Sequence, residues 1–373
     1  MALADPLGLI GSKFFERYEI LELVSHGGLS LVYRAEDVRE QRSVALKCYT
    51  GLADLPESTR RAFQETFVDV ARIVARLAHQ QRGLAHTLGI ATLPLPGGPE
   101  IPCMVLQWLD GYTLESILDR EREHGAPNRC AAEAFEIMLA PMTALSAAHD
   151  LGVVHRDIKP SNIFVGSHAL YPGVPVRILD FSLGKQNGGP APVSFMTPNY
   201  AAPEQFAGDE HRIGPWTDVF GFALVMVEVM LGGRPALAGD DIDSLRAASM
   251  DPQVRPTPNA LGLEIPARIE GVFRRALAVD ITERFATMGR FQSALAHAVS
   301  EEGRMTSSAV SRVAGEFSTG SATQPGYRPD PRPVTVDSGS RPPPAITGYT
   351  VIAPTPARTG ETVVSPAPRP ADD

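Results

Sequence analysis

His155-Arg156-Asp157-Ile158-Lys159-Pro160-Ser161-Asn162 gathers a carboxylate, an ammonium and an amide within eight residues. Downstream, Val176 to Leu179 reads as an apolar strand with one charged interruption, and it ends in Asp180-Phe181-Ser182, with Asp180 standing 18 residues after Asn162. Further on comes Thr197-Pro198-Asn199-Tyr200-Ala201-Ala202-Pro203-Glu204. Upstream, Val44-Ala45-Leu46-Lys47 puts one lysine on a strand otherwise suited to burial, where its ammonium reaches phosphate oxygens as a compact point charge. Moving a phosphoryl group from a nucleotide to a hydroxyl requires a cation on the phosphates, carboxylate and amide ligands for magnesium, and a carboxylate beside the incoming hydroxyl. Each of these is present, in one order along the chain.

Around these stretches the hydrophobic period changes. From Tyr18 to about Thr50 apolar and polar residues alternate, in runs such as Leu29 to Arg34 and Ser43 to Tyr49, so strands are expected. Between Pro56 and His79, Phe63, Phe67, Val70, Ile73, Val74 and Leu77 recur at helical spacing. Ile101 to Leu109 reads as a buried strand, and helices are expected over Thr113 to Leu151 and Trp216 to Met230. Past about Ser300 the composition turns to Pro, Ser, Thr, Gly and Arg, too poor in aliphatics to offset its ordering entropy. The expected organisation is a lead-in over residues 1–17, a domain over 18–297 and a disordered tail over 298–373. Thr355-Pro356 and Ser365-Pro366 suit that tail to binding partners or accepting phosphate.

Composition narrows the function. With 43% hydrophobic and 21% charged residues the chain has material for a real core. A formal charge of -9 and a pI near 5.5 argue against nucleic acid or an anionic membrane as partner. Cys48, Cys103 and Cys130 show no metal-ligand spacing and read as three reduced, mostly buried thiols of a cytoplasmic protein. Asp5 and Pro6 interrupt the N-terminus where a secretory signal needs an apolar run, and Val219 to Leu231, broken by Glu228, falls short of the ~20 residues of a membrane span. That stretch reads as a buried core helix.

In these motifs the chain resembles the eukaryotic-type (Hanks-type) Ser/Thr protein kinase family, in its bacterial branch, over roughly residues 18 to 297. The resemblance implies an α+β bilobal fold, with a small antiparallel sheet and one key helix in the N-terminal lobe and a larger helical C-terminal lobe. It implies MgATP (or MnATP) as cosubstrate and protein Ser or Thr hydroxyls as acceptors. Asp157 would orient and deprotonate the hydroxyl, Lys159 marks Ser/Thr specificity, and Asn162 and Asp180 would hold the metal. Lys47 would hold phosphates. Ser25 and Gly27 belong to the phosphate-covering loop, Gln107 and Leu109 to the adenine-binding hinge after the gatekeeper Leu106, and Val32, Ala45 and Phe164 to the adenine sandwich. Thr197 would bridge Asp157 and Lys159, Asp218 would anchor the catalytic-loop backbone, and Arg284 would pair with Glu204. Arg156 would receive a phosphate on Ser194, the one hydroxyl between Leu183 and Met196.

The chain departs from the family pattern in three places. Ser25 and Ser30 stand where the loop Ser25-His26-Gly27-Gly28-Leu29-Ser30 usually has its outer glycines, and a serine forced to positive φ there would cost ~1–2 kcal/mol. Ser182 and Met196 replace two further glycines. The helix carboxylate that should hold Lys47 is either Glu65, 18 residues after it and slightly favoured, or Asp69. The serines keep a second reading open, a pseudokinase that binds nucleotide or partners without efficient catalysis. Small-molecule phosphotransfer is disfavoured, because the Thr197 to Glu204 segment implies a peptide platform.

Overall fold

Alternating burial along residues 18–48 builds the N-terminal sheet. In the computed structural model, which describes residues 5–27, 30–53, 56–94, 100–179, 181, 185–186, 194–237, 239–314 and 350–352, β1 (Lys13–Phe14), β2 (Tyr18–His26), β3 (Leu31–Asp37) and β4 (Arg42–Cys48) follow one another. With β5 (Thr87–Pro94) and β6 (Glu100–Gln107) they form an antiparallel sheet in the order β1-β2-β3-β4-β6-β5. Val44, Leu46 and Cys48 of β4 turn into one core with Tyr33 and Val105, while Ala45 and Lys47 turn to the opposite face, as the period of two requires. Between β4 and β5 the chain forms α1 (Glu57–Ala78), whose buried face is Phe63, Phe67, Val70, Val74 and Leu77.

The lead-in is part of this lobe. β1 pairs with β2, the Tyr33 hydroxyl donates to Asp5 Oδ1 at 2.7 Å, and Arg17 grips buried Asp37 through Nε and Nη2 at 2.9 and 2.7 Å. Cys48 and Cys103 are buried thiols, whereas Cys130 is exposed.

The second lobe is helical. β7 (Tyr112–Thr113) leads to α2 (Leu114–Glu123) and α3 (Ala131–Asp150), followed by β8 (Val153–Val154), β9 (Ile163–Val165), β10 (Val176–Ile178), β11 (Lys185–Gln186) and β12 (Ser194–Met196). Then come α4 (Pro203–Phe206), α5 (Pro215–Met230), α6 (Ile242–Met250), α7 (Ala267–Ala276) and α8 (Met288–Ala314). Every residue of α5 except Trp216 is buried, which is the fate of a helix apolar all round. Among the described residues no helix is long and apolar enough to cross a membrane.

The tail departs from expectation in two ways. α8 runs through the boundary expected at residue 297 and ends at Ala314, since no proline interrupts the chain between Pro266 and Pro325 and Glu301 is ion-paired with Arg268 of α7. Within the segment expected to be disordered, β13 (Thr350–Ile352) pairs antiparallel with β12, Thr350 opposite Met196.

Glu204 in α4 and Arg284, 80 residues apart, meet with both side chains essentially buried, through two hydrogen bonds of 2.8 Å. The Thr217 hydroxyl adds a third bond to Glu204 at 2.7 Å. Removing one side of a buried pair leaves an uncompensated charge. Glu204→Ala is therefore expected to lower the unfolding free energy by about 3–5 kcal/mol, read from the urea midpoint at an unchanged slope.

Candidate active site

The loop after β8 is held from beneath by one carboxylate. Asp218, in the first turn of α5, accepts the backbone N–H of His155 at 2.8 Å on Oδ2 and that of Arg156 at 2.7 Å on Oδ1. Its position at a helix N-terminus favours the negative charge. His149 Nδ1 accepts the Met288 N–H, so Nε2 carries the ring proton and donates it to Asp218 at 2.8 Å. His149 is thus a satisfied core histidine, and Asp218 is the expected anchor.

Arg156 has φ of 73°, a left-handed conformation that costs a side-chain-bearing residue ~1–2 kcal/mol. Asp218 and Gln205, whose Nε2 donates to the Arg156 carbonyl at 2.8 Å, hold it there. The Arg156 guanidinium is ion-paired with Glu210, so the cation expected to receive a phosphate on Ser194 is already matched to a carboxylate. His155 accepts the Asp157 N–H on Nδ1 and donates from Nε2 to the Leu179 carbonyl, with its ring 4.7 Å from that of Phe181.

This backbone presents Asp157 to a ring of donors. Lys159 Nζ lies 2.8 Å from Asp157 Oδ2 and donates to Thr197 Oγ1 at 2.8 Å, and the Thr197 hydroxyl donates to Asp157 Oδ1 at 2.8 Å. Asn162 Nδ2 donates to the Asp157 carbonyl at 2.8 Å and to Oδ2 at 3.0 Å. Burial alone would raise the Asp157 carboxyl, but the Lys159 charge and the hydrogen bonds from Lys159 and Thr197 hold it below its ordinary range. A carboxylate has about four lone-pair sites, and three are taken, which leaves room for one more donor. Both Asn162 bonds use its nitrogen, so Oδ1, a hard oxygen, is the atom left for a divalent cation. Asp180, the other expected metal ligand, lies outside the described residues.

Register places the residues expected to contact nucleotide. Ala45 stands opposite Leu106 of β6 and Arg34 of β3, and Lys47 opposite Val32 and Met104. Phe164 of β9, half-buried, lies across the cleft beside Gly111. That glycine has φ of 149°, and a Cβ there would sit 2.2 Å from the Val165 carbonyl oxygen, so the hinge is clamped against β9. Gln107 ends β6 with its N–H held by the His86 carbonyl at 2.9 Å, and Leu109 follows in irregular backbone. Ser25 and Gly27 lie at the β2–β3 hairpin, where Ser25 pairs with Val32 and the Gly27 N–H donates to Ser30 at 3.0 Å. Neither Ser25 nor Ser30 adopts positive φ, so the strain expected of serine in this loop does not arise.

The helix carboxylates are not brought to Lys47. Glu65 is exposed, and Asp69, equally exposed, is paired with Arg72 at 3.5 Å. Lys47 instead lies with Nζ 5.5 Å from the centre of the Tyr49 ring. Tyr49 and a second pair, Glu228 with Tyr200, were not anticipated, although the position of Tyr49 at the end of the alternating run Ser43 to Tyr49, just past β4, was a usable signal. The Tyr200 hydroxyl donates to Glu228 Oε2 at 2.7 Å. Burial, with a smaller push from Asp119 and Glu115, raises the Glu228 carboxyl to about 7 against the opposing Tyr200 bond and Arg122.

A carboxylate on a strained loop, a lysine and threonine closing on it, and a lysine on a strand of the N-terminal sheet are the features of a phosphotransfer domain. The sequence pattern of the protein kinase domain matches residues 18–298, and the chain belongs to that family. It is 30% identical over 292 residues to the serine/threonine-protein kinase PknD of Mycobacterium tuberculosis, covering 77% of this chain and 40% of that protein. Against the serine/threonine-protein kinase PknB of the same species it is 30% identical over 290 residues, 76% of this chain and 43% of the relative. Against PksC of Streptomyces coelicolor it is 29% identical over 279 residues, 72% and 46%. The chain thus spans less than half the length of these relatives.

Glu228 gives the fold a pH signature. Its folded-state carboxyl titrates near 7 instead of 4.5, so the cost of its charge is absent below about 4.5 and grows as pH rises through about 7. At about 1.4 kcal/mol per tenfold change in proton affinity the full cost is on the order of 3 kcal/mol. Glu228→Gln is expected to match wild type in melting temperature near pH 4.5, to gain on it as pH rises, and to hold a constant advantage above pH 7. A parallel pair of melting curves across that range checks this.

Proposed function

We propose that the chain is a protein-serine/threonine kinase, transferring the γ-phosphoryl group of ATP to Ser or Thr hydroxyls of proteins. The observation that carries this reading is the buried Asp157–Lys159–Thr197 cluster, an ionised carboxylate with one lone-pair site to spare beside the Thr197–Glu204 segment. The serine/threonine-protein kinase names of the relatives support it.

In this mechanism the substrate hydroxyl donates its hydrogen bond to Asp157, which orients an oxygen lone pair toward the γ-phosphorus. As the new O–P bond forms and the bond from phosphorus to the β-phosphate oxygen breaks, the hydroxyl proton passes to Asp157. Lys159 stabilises charge at the acceptor side, and its contact with Thr197 ties the peptide platform to the base. Lys47, with the backbone of the Ser25–Gly27 hairpin, holds phosphate oxygens. Adenine bonds to the Gln107 carbonyl and the Leu109 amide between Val32, Ala45 and Phe164. Asn162 Oδ1 and Asp180 would hold Mg2+ or Mn2+, which would supply charge neutralisation on the phosphates. We place the activity in the cytoplasm, where ATP and free thiols coexist, with the tail open to further protein partners.

Asp157→Asn is expected to leave MgATP affinity within a few-fold, because the base is not a phosphate ligand, while phosphate incorporation into a generic basic protein falls by about 100-fold or more. Calorimetry and radiolabel transfer on both proteins check this. A wild type that binds MgATP yet transfers no more phosphate than Asp157→Asn, across several acceptors and both metals, would overturn the kinase reading in favour of a pseudokinase.

A further inference from the structure

We propose that the tail segment Thr350–Ile352 docks in cis as a strand on the substrate platform and competes there with protein acceptors. The inference rests on the kinase reading, in which acceptors approach Asp157 along the segment that carries Thr197. β12 runs straight into that segment. Met196, its last residue, precedes Thr197, whose hydroxyl donates to Asp157 Oδ1 at 2.8 Å. Met196 is buried with Ala201, Phe206, Leu237 and Leu245, which fixes this end of β12 in the helical lobe. Among the described residues, β12 has no strand partner except β13. Its backbone donors and acceptors therefore form an edge with which an extended chain can pair through main-chain hydrogen bonds.

Register sets how the tail meets that edge. Ser194 stands opposite Ile352, Phe195 opposite Val351 and Met196 opposite Thr350, so the tail enters the pair at the end nearest Thr197 and leaves it past Ser194. Thr350, Val351 and Ile352 are all β-branched, a class well fitted to a pleated strand, and no proline falls between Pro344 and Pro354 to remove a ladder donor. Thr197 continues the extended backbone, with φ of -103° and ψ of 109°, so Met196 and Thr197 take opposite faces. Residues directly opposite one another share a face. Thr350, the one hydroxyl residue of β13, thus falls on the face of buried Met196, and Val351 on the face from which Thr197 reaches the base. The strand takes the edge of the platform without placing an acceptor on the side of Asp157, which makes it an inhibitor and not a substrate. A two-stranded ribbon is only marginally stable, so a competing strand can displace it. Being on the same chain, it competes at a fixed effective concentration however dilute the protein.

The test compares the full wild-type chain with a full-length variant carrying Val351→Pro and Ile352→Pro, which removes a ladder donor whichever of the two faces β12, and with a control carrying Val363→Pro and Val364→Pro. With myelin basic protein as the varied acceptor, the first variant is expected to show a KM about five-fold below that of wild type, with kcat and the KM for ATP within about two-fold, and the control to match wild type. A synthetic peptide of residues 345–354 is expected to raise the KM of the variant again, competing with the acceptor and not with ATP. Amide hydrogen exchange over Ser194–Met196 is expected to be faster in the variant. Unchanged KM or unchanged exchange overturns the inference. So does phosphate on Thr350 of the wild type after incubation with MgATP, which would make the strand a substrate, and so does a KM ratio that varies with protein concentration, which would place the strand on a second copy. If no variant transfers phosphate and wild type does not either, the kinase reading alone falls, and the exchange comparison still decides whether the strand docks on β12.

Discussion

The loop that carries Asp157 hangs on the carboxylate of Asp218. It joins the end of α3, through His149, to the start of α5 and to two successive amides of the catalytic loop. A buried charge of this kind is tolerable only when it is fully hydrogen-bonded, and here the bonds that satisfy it are the ones that bend the chain. Arg156 remains left-handed because its N–H and carbonyl are both committed, to Asp218 and Gln205. That bend leaves the His155 ring against Phe181 and presents the Asp157 carboxylate to Lys159 and Thr197. Local strain at the loop is offset by bonds to side chains of α4 and α5, both buried.

Asp157 and Glu228 show how partners decide the fate of a buried carboxylate. Both sit in surroundings that penalise charge. Around Asp157 the Lys159 charge and the hydrogen bonds from Lys159 and Thr197 outweigh that penalty, so the carboxylate stays ionised at neutral pH. Around Glu228 the near neighbours include two further acids, and one phenol bond does not compensate. The same helix, α5, carries Asp218 in its first turn and Glu228 near its last, where the dipole no longer favours an anion. The two ends of one buried helix thus hold carboxylates of opposite character.

Much of this was legible in the chain because the chemistry depends on short, ordered motifs. The cluster of Asp157, Lys159, Asn162 and Thr197 assembles as the residues in order suggested, and α5 was visible as an apolar run too long for a strand. The misjudged features were those set by rotation or by backbone angle. Glu65 satisfied a spacing along the chain, but spacing fixes height on a helix and not azimuth. The azimuth is set by Phe63, Phe67 and Val70, whose apolar stripe outweighs any single ion pair of surface type. Composition likewise marked the tail before the helix ended, because residues 298–314 are largely polar but contain no proline.

The two serines of the phosphate loop show a related limit of motif reading. A glycine in that pattern is usually needed where an amide must approach phosphate in a conformation closed to other residues. Here the ladder between β2 and β3 continues to Ser25–Val32 and His26–Leu31, and the Gly27 to Ser30 hydrogen bond closes the turn. Ser25 therefore belongs to regular strand and Ser30 lies at the turn's exit, where negative φ is available to any residue. Gly27 likewise shows no positive φ, so none of the described residues of this loop needs the conformational freedom of glycine. Substitution of the flanking glycines then lowers the conformational entropy of the unfolded loop without imposing strain on the folded one, which favours an ordered hairpin. Ser25 and His26 are held in the ladder and the Gly27 N–H by the Ser30 carbonyl, so less ordering of these residues remains to be done on binding.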